Sequence, residues 1–167
     1  MTARRVNGTS KSVRILVVDD YERWRDFISN TLKQELGLEV IGSVSDGSAA
    51  VQQAQQLNPD LVLLDIGLPT LNGIQAAARI RETSPSSKIL FVSENRSPDL
   101  VERALNTGAS GYVVKSDAAR DLLSAVIAVL EGRRFVSPGL VGCEGSGNTD
   151  ESQRNVKAVG CHEVRFC

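Results

Sequence analysis

From Val13 to Gly132 the chain alternates without interruption between short apolar runs and stretches of helical spacing, and this alternation constrains its fold more than any other feature. Val13 to Val18 is rich in β-branched residues and reads as a strand. Trp24, Phe27, Ile28, Leu32 and Leu36 then recur at helical spacing, with Gly37 placed to stop that helix. Leu38 to Val44 reads as a second strand. Asp46 can cap a second helix through Leu57, ended by Asn58-Pro59. Leu61 to Leu64 is apolar without alternation, as in a central strand covered on both faces. A third helix is expected from about Asn72 to Glu82, and a strand from Lys88 to Val92. Ser97-Pro98 starts a fourth helix, with Ser as cap and Pro at the first helical position, ending at Gly108. The strand Gly111 to Val114 follows, and Ser116 can cap a last helix running to Gly132. Five strand–helix units in strict alternation predict a doubly wound (βα)5 α/β fold: a parallel sheet, right-handed crossovers and helices on both faces.

The 167 residues suit one compact domain with something left over. With only four Phe, two Tyr and one Trp, aliphatic side chains must build the core. A net charge of −1 leaves no basic footprint for nucleic acid. The polar stretch 1–11 has no apolar run resembling a signal peptide, and Leu122 to Leu130 is far short of the roughly 20 residues that span a bilayer, so a cytoplasmic protein with no membrane contact is expected. Residues 12–137 form the expected domain. After Pro138 the pattern fails: Gly139 to Asp150 reads as a linker, Glu163 to Phe166 holds a brief strand-like hint, and 138–167 is expected to be a linker, a tail or the opening of a further domain, with no DNA-binding domain in this chain. Cys143, Cys161 and Cys167 all fall there. They lack a Cys-x-x-Cys pair, and adjacent Cys161 and His162 would struggle to share one zinc ion, so free thiols are the expectation.

In an open parallel sheet, ligands bind beyond the carboxyl ends of the strands. The residues there are Asp19 and Asp20 after the first strand, Asp65 after the third, Ser93 after the fourth and Lys115 after the fifth. Any one of these alone is an ordinary turn or cap residue. Together, if their strands are neighbours, they bring three carboxylates, a hydroxyl and an ammonium to one rim. Three carboxylates repel one another unless a cation intervenes, and oxygen-only ligands favour a hard ion such as Mg²⁺. A metal on one side and Lys115 on the other can neutralise a phosphoryl group, and Asp65 is the natural nucleophile of the set.

The same residues lie in a longer ordered set: Ile-Leu-Val-Val-Asp-Asp-Tyr at 15–21, Asp-Leu-Val-Leu-Leu-Asp-Ile-Gly-Leu-Pro at 60–69, Asn72-Gly73-Ile74, Ile-Leu-Phe-Val-Ser at 89–93 and Gly-Ala-Ser-Gly-Tyr-Val-Val-Lys-Ser at 108–116. Over about Ser12 to Pro138 the chain resembles the receiver domains of two-component response regulators, in the branch found in NarL/FixJ-type transcriptional regulators. The resemblance implies a flavodoxin-like, CheY-like sheet of strand order 2-1-3-4-5 and phosphorylation of Asp65 by a sensor histidine kinase, a phosphotransfer protein or a small acyl phosphate. It further implies Mg²⁺ held by Asp20, Asp65 and the Gly67 main-chain carbonyl, with Asp19 acting through water. Ser93 and Lys115 would meet the phosphoryl oxygens, Tyr112 would change rotamer to fill the space Ser93 vacates, and Pro69 would shape the adjoining loop. Glu94 departs from the family, which usually has a small residue there. Because that position controls access to the phosphoryl group, Glu94 is expected to alter its lifetime.

Leu122, Leu123, Val126, Ile127, Val129 and Leu130 form an apolar stripe wider than one core contact demands, which suggests a homodimer through the last helix and its neighbouring strands. Two rival readings remain. A phosphatase of the haloacid-dehalogenase type needs a second Asp two positions after the nucleophile, and Gly67 stands there. A protein-binding module of the same fold that takes no phosphate is opposed by the intact carboxylate set.

Overall fold

A computed structural model describes residues 11–143. Six parallel strands form one sheet: β1 (Val13–Val18), β2 (Leu38–Val44), β3 (Leu61–Leu64), β4 (Lys88–Ser93), β5 (Gly111–Val114) and a two-residue β6 (Phe135–Val136). Their order is β2-β1-β3-β4-β5-β6, the expected 2-1-3-4-5 with one added edge strand. Five helices connect them: α1 (Glu22–Leu32), α2 (Gly47–Leu57), α3 (Gly73–Thr83), α4 (Pro98–Leu105) and α5 (Ala118–Leu130).

The period of two along the strands sorts the core into two layers. Leu16, Val18, Val62, Leu64, Ile89, Phe91, Tyr112 and Val114 face α2, α3 and α4, meeting Ala50, Ala54, Ala76, Ala77, Ile80, Val101 and Ala104. Ile15, Val17, Leu61, Leu63, Leu90, Val92 and Val113 face α1 and α5, meeting Ile28, Leu32, Leu122, Ala125, Val126 and Val129. All four residues of β3 are buried, which is why its sequence shows no polar alternation.

The cap expected at Asp46 forms, and the structure adds one at Asn72. The Asp46 carboxylate accepts from the Ala49 amide at 2.8 Å, and the Asn72 side chain accepts from the Gln75 amide at 2.9 Å. Gly73 follows Asn72 because a Cβ there would stand 2.0 Å from the Asp65 carbonyl oxygen. Only glycine lets the start of α3 press against the loop that carries Asp65.

Four local expectations need correction. First, α1 ends at Leu32, and Leu36 is fully exposed instead of continuing the apolar stripe. Tight turn bonds from Gln34 to Thr31 and from Glu35 to Leu32 close the helix early, and Gly37 at φ +91° redirects the chain into β2. Second, the Ser97 side chain makes no cap bond, although Pro98 does occupy the first turn. Instead Asn95 Oδ1 accepts from the Ser97 amide at 2.7 Å, and α4 stops at Leu105, three residues short of Gly108. Third, Ser116 does not cap the last helix. A 3₁₀ turn over Lys115–Asp117 precedes α5, and the Ser116 hydroxyl accepts from Arg96 at 2.6 Å. Fourth, the α5 stripe is spent mainly on the sheet: Leu122, Val126 and Val129 are fully buried, Leu123 and Leu130 half-buried, and only Ile127 is exposed.

The chain continues past Ser137 into a second 3₁₀ turn, Pro138–Cys143, whose Leu140 packs on the layer that holds Tyr112. Among the described residues no helix is long and apolar enough to cross a membrane. The hint at 163–166 and the zinc alternative involving Cys161, His162 and Cys167 lie outside the described residues, as does the side chain of Cys143.

Candidate functional site

The site lies at the carboxyl ends of β1, β3, β4 and β5. The Asp65 amide donates to the Val18 carbonyl at 2.9 Å, which carries the β1–β3 pairing one step past the strands and sets Asp65 beside Asp19. Asp19 is buried, and its Oδ1 accepts from the Tyr21 amide at 2.9 Å, turning the chain into α1. Asp20 is exposed and faces the cleft. One carboxylate oxygen from each of Asp19, Asp20 and Asp65 lies within 4.8 Å of the others. The sequence expectation that these three acids converge is met.

Lys115 reaches into this cluster from the end of β5. Its ammonium is 2.6 Å from Asp19 Oδ2 and 3.4 Å from Asp65 Oδ2, and its side chain is 10% exposed, so solvent screens the pairs little. The closer contact is an ion pair without the alignment of a hydrogen bond, for Asp19 Oδ2 is buried and has no hydrogen-bond partner among the described residues. Burial pushes the Asp65 carboxyl above the usual carboxylate range, and the Asp19 charge adds to this. Lys115 and the amides of Ile66 and Gly67 pull the other way. The Ile66 amide donates to Asp65 Oδ1 at 2.8 Å.

An open cleft of about 550 Å³ fronts the cluster, lined among others by Asp20, Asp65, Gly67, Ser93, Glu94 and Lys115. Ser93 is buried at the end of β4, its hydroxyl accepting a long bond of 3.3 Å from the Asn95 amide. Glu94 is exposed on the cleft wall, and Pro69 is exposed in the loop after Asp65. Tyr112 is wholly buried and tilted against Phe91, at 6.3 Å between ring centroids. Its hydroxyl donates to the Asn95 carbonyl at 2.7 Å, and burial raises its phenol above the ordinary value.

Three participants escaped the sequence reading. Asn95 ties the loop after Ser93 to Tyr112 through its carbonyl and to the start of α4 through its side chain. Arg96 bridges the same loop to Ser116 and, at 3.2 Å, to Asp117. Trp24 lies beneath the Lys115 ammonium, 5.5 Å from it to the ring centroid. Its position four residues after Asp20, one helical turn in, was the available signal; the others depend on a loop conformation that has no sequence period.

The family model described as the response regulator receiver domain matches residues 15–127. The chain is 33% identical over 157 residues to the transcriptional regulatory protein DegU of Brevibacillus brevis, covering 92% of this chain and 66% of that protein. It is 32% identical over 126 residues to the response regulator GacA of Pseudomonas viridiflava, covering 75% and 59%. The chain thus spans at most two-thirds of the length of these relatives. Among solved structures, it is similar to a LuxR-family two-component response regulator from Aurantimonas sp. SI85-9A1, with a TM-score of 0.74, 32% identity and coverage of 77% of this chain and 92% of that one. The signal receiver domain of the response regulator NarL from Mycobacterium tuberculosis matches at a TM-score of 0.70 and 31% identity, over 74% of this chain and 99% of that one.

Proposed function

The chain belongs to the response regulator receiver family, and from that premise we propose that it is a signalling phospho-acceptor whose accepting residue is Asp65. The observation that carries the proposal is the convergence of the Asp19, Asp20 and Asp65 carboxylates within 4.8 Å, with Lys115 paired to two of them. An Asp65 oxygen attacks the phosphorus of a donor, and the donor's P–N or P–O bond breaks as the acyl phosphate forms. The donor is a phosphohistidine on a sensor histidine kinase or phosphotransfer protein, or a small acyl phosphate.

The residues fit a divalent cation. A buried Asp19 oxygen without a hydrogen-bond partner among the described residues and an Asp65 carboxyl disfavoured as an anion both call for more positive charge than Lys115 alone supplies. The all-oxygen donor set suits Mg²⁺, held by Asp20, Asp65 and the Gly67 main-chain carbonyl, with Asp19 acting through water. Bound there, the ion would offset the negative charge of the acids and of the incoming phosphoryl group. Lys115 and Ser93 take the remaining phosphoryl oxygens. A shift of Ser93 pulls on the loop that ends at Asn95, and so on the Tyr112 hydroxyl anchored there, which biases the face built by α4, β5 and α5. Tyr112 is already interior, so the change in its position starts from a buried ring.

Residues 12–137 act as the receiver unit, and 138–167 as a linker, a tail or the opening of a further domain. DegU is named a transcriptional regulatory protein, which supports a regulatory output for the protein as a whole. A cytoplasmic location follows from the proposed kinase partner. A homodimer through α5 has Ile127 as its exposed large apolar side chain. Incubation with acetyl phosphate and Mg²⁺, followed by intact-mass measurement, tests the proposal. The parent chain should gain one phosphoryl group and Asp65→Asn none; a parent chain of unchanged mass would favour the module that takes no phosphate.

A further inference from the structure

The apolar stripe of α1 runs one turn beyond the core it needs. Ile28 and Leu32 are buried under the sheet, whereas Trp24 and Phe27 are only partly buried. These two rings stack at 4.8 Å with 20° between their planes, which fixes the orientation of the indole. The Lys115 ammonium lies over that indole at 5.5 Å, inside the range in which a cation is attracted to an aromatic face. The indole N–H is buried and has no hydrogen-bond partner among the described residues. Packing alone would be better served by Leu or Phe, neither of which buries a donor at a cost. Trp24 also lines, with Glu94, Arg96 and Ser116, a second cleft reached by Lys115.

Resting on the phospho-acceptor reading above, we infer that Trp24 is a positioning residue for Lys115, holding its ammonium at Asp19 and Asp65 through the face of the indole ring. Lysine carries its charge on a flexible four-carbon stem, and the Glu94 carboxylate lines the same cleft as a competing partner. In the structure the ammonium meets the Trp24 face in the same position in which it meets Asp19 and Asp65. A charge held in place beforehand needs no ordering when the phosphoryl group arrives.

The test is the rate of phosphorylation by acetyl phosphate with Mg²⁺, read by intact mass on chains shown to be folded by circular dichroism. Trp24→Phe, which keeps an aromatic face, should stay within about twofold of the parent; Trp24→Leu should be about fivefold slower, equivalent to about 1 kcal/mol of cation–π attraction. In a Lys115→Met background, Trp24→Leu should cost nothing further. A Trp24→Leu rate equal to the parent's, or the same fivefold loss without Lys115, overturns the inference. Should Lys115→Met not fold, the comparison of Phe with Leu at position 24 decides. A parent chain that takes no phosphate overturns the reading of Asp65, and this inference with it.

Discussion

Lys115 Nζ lies 2.6 Å from Asp19 Oδ2, closer than to the proposed acceptor Asp65. The lysine is therefore a structural counter-ion before it can be a phosphoryl ligand, and its removal leaves a buried carboxylate without its cation. Breaking a buried pair from one side typically costs about 3 kcal/mol or more. Lys115→Met should lower stability by about that amount in urea unfolding, and Mg²⁺ should recover part of the loss by binding the folded state. A stability equal to the parent's would mean that the pair contributes nothing.

Asp65 gives a pH dependence of opposite sign to that of an ordinary paired carboxylate. Its folded-state pKa is raised above the model-peptide value of 3.8, with burial as the largest cause. Ionisation therefore favours the unfolded chain: any stability Asp65 contributes is fully present below pH 3.8 and is lost as pH rises through the higher folded value. Asp65→Asn should raise the melting temperature at pH 7 without Mg²⁺, by roughly 2–4 °C for each kcal/mol relieved. The advantage should shrink as pH falls toward 3.8. A variant that melts below the parent at pH 7 would contradict the raised pKa.

Ser137 predicts a cost at the sheet edge. It is fully buried, and its hydroxyl accepts from the Val114 amide at 3.0 Å while donating to Asp121 at 3.4 Å. Ser137→Ala leaves that amide short of a partner, at a cost of about 1–3 kcal/mol by denaturant unfolding. A change below a few tenths of a kcal/mol would show that the edge is held without it.

Glu94 stands on the wall of the cleft where the resemblance implies a small side chain. An exposed carboxylate there can orient water toward an acyl phosphate. Glu94→Ala should lengthen the half-life of the phosphorylated chain a few-fold, well short of the roughly hundredfold effect of a fully positioned general base. Equal half-lives would discard the role.

The sheet was legible because its strands are apolar runs flanked by turn residues, and the site because its acids stand where those runs stop. What escaped depends on tertiary approach. Phe135 and Val136 are too few to show a period, and they form β6 only because β5 offers an edge where Gly111 leaves room for the Phe135 carbonyl. Leu36 has the helical spacing of its neighbours, but the helix closes at Leu32 and leaves it exposed among the described residues. The stripe on α5 looked too wide for a core, yet the two-layer packing consumes most of it. The preference of Lys115 for Asp19 and its place over Trp24 are matters of side-chain reach across strand ends, which no linear pattern encodes.

Reduction of the phosphorylated chain with borohydride converts an aspartyl phosphate to homoserine, and tandem mass spectrometry then locates it. After incubation with acetyl phosphate and Mg²⁺, homoserine should replace Asp65 and no other acid. Homoserine at position 19 or 20, or none at all, would contradict the assignment of Asp65 as acceptor.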